Sequence, residues 1–483
     1  MTNKIIKAGT WAIVGQFTKL VVKFGVSIIL ARLLSPKEFG LMGMVSVLIV
    51  LLNSMSELGL FTSLIQKKEV NQTELSSVFW LTFILGLVIS LLLFISAPWV
   101  ALFYNQNELT KIIQVLSIIF FFNSLVLTHN AILTKVLNFK ILEIYSTVSL
   151  VLSSIIALIL AYFNFGVWAL VYQQILNSLF NAVIVWYFQS WRPSFILHFK
   201  SIKSLLGFGF RVFISGLLNT LFGSIDTIII GKFFSAASLG LYSFAQNLIN
   251  VTVGTFTTAI VRVLFPVMAG AQNDAERLKS IYLKTNNLLN IFIIPVMGTI
   301  CIFANQIVAI FLGNKWLDMV VYFQLFAIIG ILYPISALNI NLILAKGRSD
   351  KFLHLEIIKK ILLVIGIAVG FQFGIVGILF GILGISLNGV LFNLYYAGNV
   401  SGYFLKNQLI DMVPVLALSG IYLIILYVSK LFFIPFTNNI LGSILSILLS
   451  VGIFYILIKK YKKDIIDDIG LIVNGYNPKK NNQ

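Results

Sequence analysis

About fourteen stretches of some 20 apolar residues follow one another along this chain, and that is the length a helix needs to cross the hydrocarbon core of a bilayer. They begin near Ala8, Phe39, Ser77, Ile112, Glu143, Gly166, Leu206, Leu239, Ile281, Trp316, Phe352, Ile375, Leu409 and Asn439. Backbone in lipid must satisfy its own N–H and C=O groups, so such stretches become helices. The expected fold is an all-α integral membrane bundle. With 59% hydrophobic and 10% charged residues among 483, and a mean hydropathy of +1.00, a water-soluble fold is excluded. The first apolar run far exceeds the roughly 7–15 residues of a signal-peptide core, so it is expected to remain as a helix.

Several function classes drop out early. The single cysteine, Cys301, permits no disulfide within the chain. His129, His198 and His354 are scattered without zinc-ligand spacing, so no metal is expected. No G-x-x-x-x-G-K-[ST] loop is present, which leaves nothing to suggest ATP hydrolysis. No connection between apolar stretches is long enough for a soluble catalytic domain. The reading is a protein that is not an enzyme and needs no cofactor.

The net charge of +18 raises the question of nucleic acid, and position answers it. With a cytoplasmic N-terminus, about 23 of the 34 Lys and Arg fall on the cytoplasmic side, the bias that sets membrane topology. Only Arg32, Lys37, Lys111, Lys232, Lys315 and Lys430 fall outside. Both termini are then cytoplasmic and the helix number is even. No nucleic acid is needed as a partner, and anionic membrane lipid absorbs the remaining basic charge. Trp11, Trp80, Trp99, Trp168, Trp191 and Trp316 lie near segment ends, where an indole belt is expected, with Trp186 somewhat deeper.

The chain also repeats itself. Ala31–Leu41 aligns with Gly231–Leu241 at an offset of 200, matching Ser35, Gly40 and Leu41 to Ser235, Gly240 and Leu241, and Arg32 to Lys232. Gly9 matches Gly209. Further on, Phe163-Asn-Phe-Gly166 aligns with Phe371-Gln-Phe-Gly374, and Leu133-Thr-Lys135 with Leu344-Ala-Lys346. The implied organisation is a six-helix lobe over 1–200, a second over 201–404, and two extra helices with a basic cytoplasmic tail over 405–483. Repeats with an even helix number share topology about an axis along the membrane normal, and such halves rock around a central path.

Charges inside the apolar stretches are the candidate site. Lys19 and Lys23 sit mid-way along Ala8–Leu34, four apart and thus on one helix face. A cation at that depth costs about 2.5–3.5 kcal/mol on insertion scales, so the pair marks a path for something anionic. The bland alternative is neutralisation by a carboxylate on a neighbouring helix. Asp226, in Gly223-Ser-Ile-Asp226-Thr, reads as the one acid clearly buried in a segment. A salt bridge to Lys23 or Lys19, proton or cation coupling, and a local hydrogen bond to Ser or Thr are its three readings. Arg211, Arg262 and Lys359-Lys360 lie nearer cytoplasmic ends, where they either meet a phosphate or snorkel to the interface. Glu57 ends the second segment on the cytoplasmic side, where it is either an interfacial residue or a gating or ion-coupling candidate. Pro295 and Pro334 fall inside segments and are expected to kink them.

Glu57-Leu-Gly-Leu60 with Leu64-Ile-Gln66, Phe165-Gly-Val-Trp-Ala-Leu-Val171, Trp191-Arg-Pro193, Asp226-Thr-Ile-Ile-Ile-Gly231, Leu239-Gly-Leu-Tyr-Ser243 and Phe265-Pro266 together resemble the polysaccharide transport family. That family belongs to the multidrug/oligosaccharidyl-lipid/polysaccharide exporter superfamily, and the pattern is most similar to its O-antigen, colanic-acid and teichuronic-acid branch. The resemblance covers almost the whole chain. It implies two six-helix lobes around a cationic cavity. It also implies flipping of an undecaprenyl-pyrophosphate-linked oligosaccharide unit from the inner to the outer leaflet of the bacterial cytoplasmic membrane. Polysaccharide polymerase machinery would be a partner, and a coupling ion, H+ or Na+, one source of energy. The alternatives are a lipid II flippase and a cation-coupled multidrug exporter of the same superfamily. The latter favours acidic cavities, against the positive interior here.

The charge bias makes a direct prediction about orientation. A green fluorescent protein fused after Gln483 should fluoresce, and alkaline phosphatase fused there should be inactive; the reverse pattern would place the C-terminus outside.

Overall fold

The computed structural model describes residues 2–67, 69–436 and 439–461, and among these it contains helices and turns but no strand. The helices are α1 (Thr2–Leu33), α2 (Pro36–Glu57), α3 (Leu60–Gln66), α4 (Gln72–Tyr104), α5 (Glu108–Leu116), α6 (Ile118–Lys135), α7 (Phe139–Tyr162), α8 (Val167–Phe188) and α9 (Phe199–Gly223). They continue as α10 (Ile225–Phe233), α11 (Ala236–Gly270), α12 (Ala275–Ile302), α13 (Ala304–Phe311), α14 (Val320–Ala345), α15 (Ser349–Phe371), α16 (Gly374–Ser401), α17 (Leu405–Phe436) and α18 (Asn439–Tyr461). A short 3-10 turn, Asn314–Met319, precedes α14.

Every expected apolar window coincides with a helix. The window near Ile112 is divided into α5 and α6, and the one near Leu206 into α9 and α10, which bend by 45° at Ser224. By length and composition, 11 helices among the described residues are able to cross a membrane, or up to 12 if the bent pair is one span. α15 falls outside that set because Glu356, Lys359 and Lys360 lie within it.

Two compact units divide the chain, Met1–Phe244 and Ala245–Gln483. In the first, α1 packs along α7, α7 along α8, and α4 against α5 and α6, while α2 meets α4, α8, α9 and α10. In the second, α12 packs against α14 and α17, α16 against α14 and α15, and α17 against α18. Its interior holds a polar chain: Asn339 Nδ2 donates to Tyr282 OH (2.9 Å), which donates to Gln408 Oε1 (3.2 Å). Gln408 Nε2 then donates to the carbonyls of Leu394 (3.0 Å) and Tyr403 (2.6 Å). Trp316 is fully buried in this unit and so is not a lipid-facing belt residue. Pro295 and Pro334 do lie in helix interiors, α12 and α14.

Helix starts are set by local chemistry. Asn71 Oδ1 accepts from Glu74 N (2.8 Å) while the Glu74 carboxylate accepts from Asn71 N (3.3 Å), closing a capping box on α4. Ser35 donates to Glu38 Oε2 through both its N–H (2.5 Å) and its hydroxyl (2.9 Å) at the start of α2. Such caps contribute about 1 kcal/mol each.

The repeat is visible in backbone geometry. Ser235 Oγ accepts from Ser238 N (3.1 Å) before α11, at the place where Ser35 and Glu38 open α2. Gly166 and Gly374 both take the left-handed region, at φ +57° and +74°. The match at Leu133 needs a shift of one residue. Val136 N donates to Ile132 O and Asn138 N to Leu133 O, as Lys346 N does to Leu342 O and Arg348 N to Ile343 O. By backbone position Lys346 therefore corresponds to Val136, although Lys135 and Lys346 both donate from Nζ to backbone carbonyls, Lys135 to Leu64 and Lys67 and Lys346 to Gln272.

Within the first unit the repeat-related starts of α2 and α11 touch reciprocally. A Cβ placed on Gly40 would overlap the carbonyl oxygen of Ala236, and one on Gly240 would overlap that of Pro36. Positions 36 and 236, and 40 and 240, are equivalent, so the contact has local two-fold symmetry. Phe39 meets Phe244 edge-to-face at 5.1 Å beside it.

The segment after α8 is strapped along the start of α4. Ser76 Oγ accepts from Ser194 N (2.9 Å), and Ser77 Oγ from His198 N (2.9 Å). Trp191 Nε1 donates to Gln72 Oε1 (2.7 Å), and Trp80 Nε1 to Ser194 O (2.8 Å). The Arg192 guanidinium turns back to the carbonyls of Trp186 and Trp191, closing the end of α8. In the S76A/S77A double variant two backbone N–H groups lose their partners, at about 1 kcal/mol each. Proteolytic cutting within 189–198 should accelerate severalfold in detergent; an unchanged cutting rate would mean the strap is held elsewhere.

Candidate functional site

α1 presents Trp11, Gly15, Lys19 and Lys23 at four-residue intervals, a stripe along one face. α7 packs along α1 and supplies Lys140, Glu143 and Ser146 at three-residue intervals. The Lys140 ammonium lies over the Trp11 ring at 5.3 Å. Gly15 leaves room for the buried Glu143: a Cβ there would sit 2.5 Å from the Glu143 Cβ. Lys19 Nζ then reaches Glu143 Oε2 at 2.7 Å and donates to Ser146 Oγ at 3.3 Å. The Lys19 and Glu143 side chains are 18% and 6% exposed. At that burial the pair is held by geometry, since isolated charges there would be strongly disfavoured.

Lys19 thus has the carboxylate partner of the bland reading, and that partner is Glu143, not Asp226. Lys23, one turn further along, is exposed and makes no ion pair or hydrogen bond among the described residues. The two lysines, alike in sequence, are different in state. One is neutralised by its neighbour. The other is exposed.

Asp226 is not the only acid buried in an apolar segment, as Glu143 corrects. It stands in the first turn of α10, just past the bend at Ser224, where the helix N-terminus favours a carboxylate. Its Oδ1 accepts from Thr227 N (2.8 Å), and its Oδ2 from the hydroxyl of buried Tyr242. Glu57 is exposed at the end of α2, where Leu58 and Gly59 turn the chain with φ of +44° and +67°. In the second unit Lys359 pairs with Glu356 one turn back on α15, beside Lys360. The side chains of Arg211 and Arg262 lie outside the described residues. No group of three or more His, Cys, Asp or Glu is arranged to hold a metal among the described residues.

Two features escaped the sequence. Glu143 read as the polar start of a window, because only the position of α7 relative to Gly15 puts it inside. His129 read as a scattered histidine. It is fully buried, with its ring 5.2 Å from Trp186, 5.0 Å from Trp191 and 6.5 Å from Phe79. The tryptophans gave the only sequence signal of that aromatic box.

Comparison with known proteins places this architecture. The family of polysaccharide biosynthesis proteins matches residues 29–321, more than half of the chain. The chain belongs to this family. The matched stretch contains Glu57, Glu143, Asp226 and the Gly40 and Gly240 contact, whereas Lys19, Lys23, Lys359 and Lys360 lie outside it. Among relatives, a teichuronic acid biosynthesis protein, TuaB of Bacillus subtilis (strain 168), is 27% identical over 353 residues, which is 72% of this chain and 73% of that protein. A lipopolysaccharide biosynthesis protein, WzxC of Escherichia coli (strain K12), is 26% identical over 396 residues, 79% of this chain and 78% of that protein. Among solved structures, the lipid II flippase MurJ in an inward closed conformation superposes with a TM-score of 0.76, covering 95% of this chain and all of that one at 16% identity. At that identity the likeness concerns the fold.

In this member of the polysaccharide biosynthesis family, removing one partner of the α1–α7 pair should be costly. E143A leaves the Lys19 ammonium unpaired, at about 3–5 kcal/mol. Thermal unfolding in detergent should fall by several degrees in E143A and fall less in E143A/K19M than in either change summed. Strict additivity would mean that the two side chains do not interact.

Proposed function

We propose that the chain is a flippase which moves undecaprenyl-pyrophosphate-linked oligosaccharide units from the inner to the outer leaflet of a bacterial cytoplasmic membrane. The relatives named for teichuronic acid and lipopolysaccharide synthesis support a surface glycan as the cargo. The observation that carries the reading is Lys23: an exposed lysine in a helix long and apolar enough to span a membrane, one turn from a lysine already paired with Glu143.

The pyrophosphate of such a lipid carries about two negative charges, and Lys binds phosphate as a point charge. Lys23 meets it; Lys19, held by Glu143 and Ser146, fixes the helix face and adds positive potential. Arg211, Arg262, Lys359 and Lys360 form the remaining basic groups of the path. The polar glycan is enclosed between a lobe over 1–200 and one over 201–404, while the prenyl tail stays in lipid. Fourteen spans, with the helices and basic tail of 405–483 appended, leave both termini cytoplasmic. Asp226 and Glu57 act in gating or in coupling to H+ or Na+. The protein performs no covalent chemistry, and a polysaccharide polymerase consumes its product outside. A lipid II cargo is the second reading, supported by the fold shared with MurJ; the two cargoes share the pyrophosphate and differ in the glycan.

The test uses cells in which this chain is the sole exporter of its glycan. K23Q should reduce surface polymer at least tenfold at normal protein level, with complete undecaprenyl-linked units accumulating on the inner leaflet. K19Q should lose protein as well as transport. Mass spectrometry of the accumulated lipid separates the two cargoes. Full export by K23Q would remove Lys23 from the path.

A further inference from the structure

α8 carries a polar face that the lysine site does not account for. The helical period puts Gln173, Gln174, Asn177 and Asn181 on one side of a 22-residue helix that holds no charged residue and is able to span a membrane. A second side packs on α6, where Ala182 and Val185 are buried against Val126. A third is apolar and exposed, with Tyr172, Val183 and Tyr187. The amide side is partly buried. Gln173 Nε2 donates to Ser154 Oγ of α7 at 3.2 Å and so fixes the register of the two helices. The side chains of Gln174, Asn177 and Asn181 make no hydrogen bond among the described residues. Unpartnered amides at the centre of a spanning helix are costly against lipid, and such groups face a bundle interior or a water-filled path.

The repeat shows that the fold itself does not need these amides. With Gly166 aligned to Gly374, Gln173, Gln174, Asn177 and Asn181 correspond to Gly381, Ile382, Ile385 and Gly389 of α16, which packs on α15 with no amide at those positions. Depth then ties the face to the lysines. α7 and α8 form an antiparallel hairpin joined through Asn164 and Gly166, both at positive φ. Asn181 lies as many residues after Gln173 as Ser146 lies before Ser154, so it comes level with Ser146, which accepts from Lys19. α1 runs parallel to α7, with Trp11 at Lys140 and Lys19 at Ser146, so Lys23, one turn on, stands near the depth of Asn177. From Asn181 to Gln174 the amides extend about 10 Å along the helix.

Resting on the flippase reading, we propose that this face is a glycan subsite, in which Gln174, Asn177 and Asn181 bond the hydroxyls of the first sugars at the depth of the lysines that meet the pyrophosphate. An amide both donates and accepts, as a hydroxyl does, and the face carries no charge, so it suits an uncharged polyhydroxylated ligand over a cation or a phosphate. The pyrophosphate is common to every lipid-linked unit. The amides are where one glycan is told from another, because a sugar that leaves them unpaired loses binding.

The test uses the full chain, purified and in cells where it is the sole exporter. The probes are the lipid-linked oligosaccharide fraction extracted from those cells and undecaprenyl pyrophosphate without sugar. The parent should bind the glycan-bearing lipid about tenfold tighter than the bare one, and N177L/N181L should lose that difference while binding the bare lipid unchanged. Surface-polymer export by the variant should fall severalfold at normal protein level. In a C301S background, a membrane-impermeant thiol reagent should reach N177C and spare V183C on the exposed apolar side, and the glycan-bearing lipid should protect N177C better than the bare one. Parental export by N177L/N181L, or equal labelling of N177C and V183C, overturns the subsite. So does a variant that loses affinity for both lipids alike, because the amides then hold the fold, or one that loses a cross-linked dimer and keeps the glycan preference, because they then hold a second copy. If the parent binds both lipids equally, the subsite alone falls. If it binds neither, and cells lacking the chain keep a normal lipid-linked pool, the flippase reading falls and takes the subsite with it.

Discussion

A hydrocarbon interior offers no hydrogen bonds, and each polar group placed there must find its partner within the protein. The helices of this chain are the backbone's answer. The side chains answer the same demand locally: Lys19 with Glu143 and Ser146, Asp226 with Thr227 and Tyr242, Asn339 with Tyr282 and Gln408. Each group ties two or more helices that hydrophobic packing alone would leave free to slide, because lipid tails are as apolar as the side chains they would replace. Against that background Lys23 stands out, exposed and with no ion pair or hydrogen bond among the described residues.

The same constraint shapes how helices approach within the first unit. Two helices in lipid gain most from close packing, and close packing is easiest where a side chain is missing. Gly40 and Gly240 bring backbone against backbone, and Gly209 lets α9 close on the turn after α2. Contacts of this kind are all-or-none: a carbonyl resting on a Cα position is either seated or displaced.

Asp226 illustrates how a residue changes meaning between levels. In the sequence it is an acid in an apolar run, open to ion coupling, a salt bridge or local bonding. In the fold it opens a short helix after a break, where free backbone N–H groups need an acceptor and Tyr242 lends its hydroxyl. Glu143 made the opposite journey, from an ordinary interfacial residue to the buried partner of a membrane lysine.

Much was legible without the structure, for a physical reason. Hydropathy over about 20 residues is a one-dimensional quantity, so the fourteen apolar windows could be read directly, each falling on a helix. The repeat at Ser35–Leu41 and Ser235–Leu241 was also legible, because short polar and glycine signals at helix junctions stand out in apolar sequence. What the sequence could not determine is which helix faces which, since an apolar helix has little moment to orient it. Only the tertiary arrangement set α7 against α1, and so neutralised Lys19 while leaving Lys23 exposed. It alone moved the Lys346 alignment by one residue, broke the seventh window at Ser224, and placed Gly40 on Gly240. The pairings of Lys19 with Glu143 and of Gly40 with Gly240 join residues some 100 to 200 positions apart by close contact in space, and a linear pattern carries no distance between its parts.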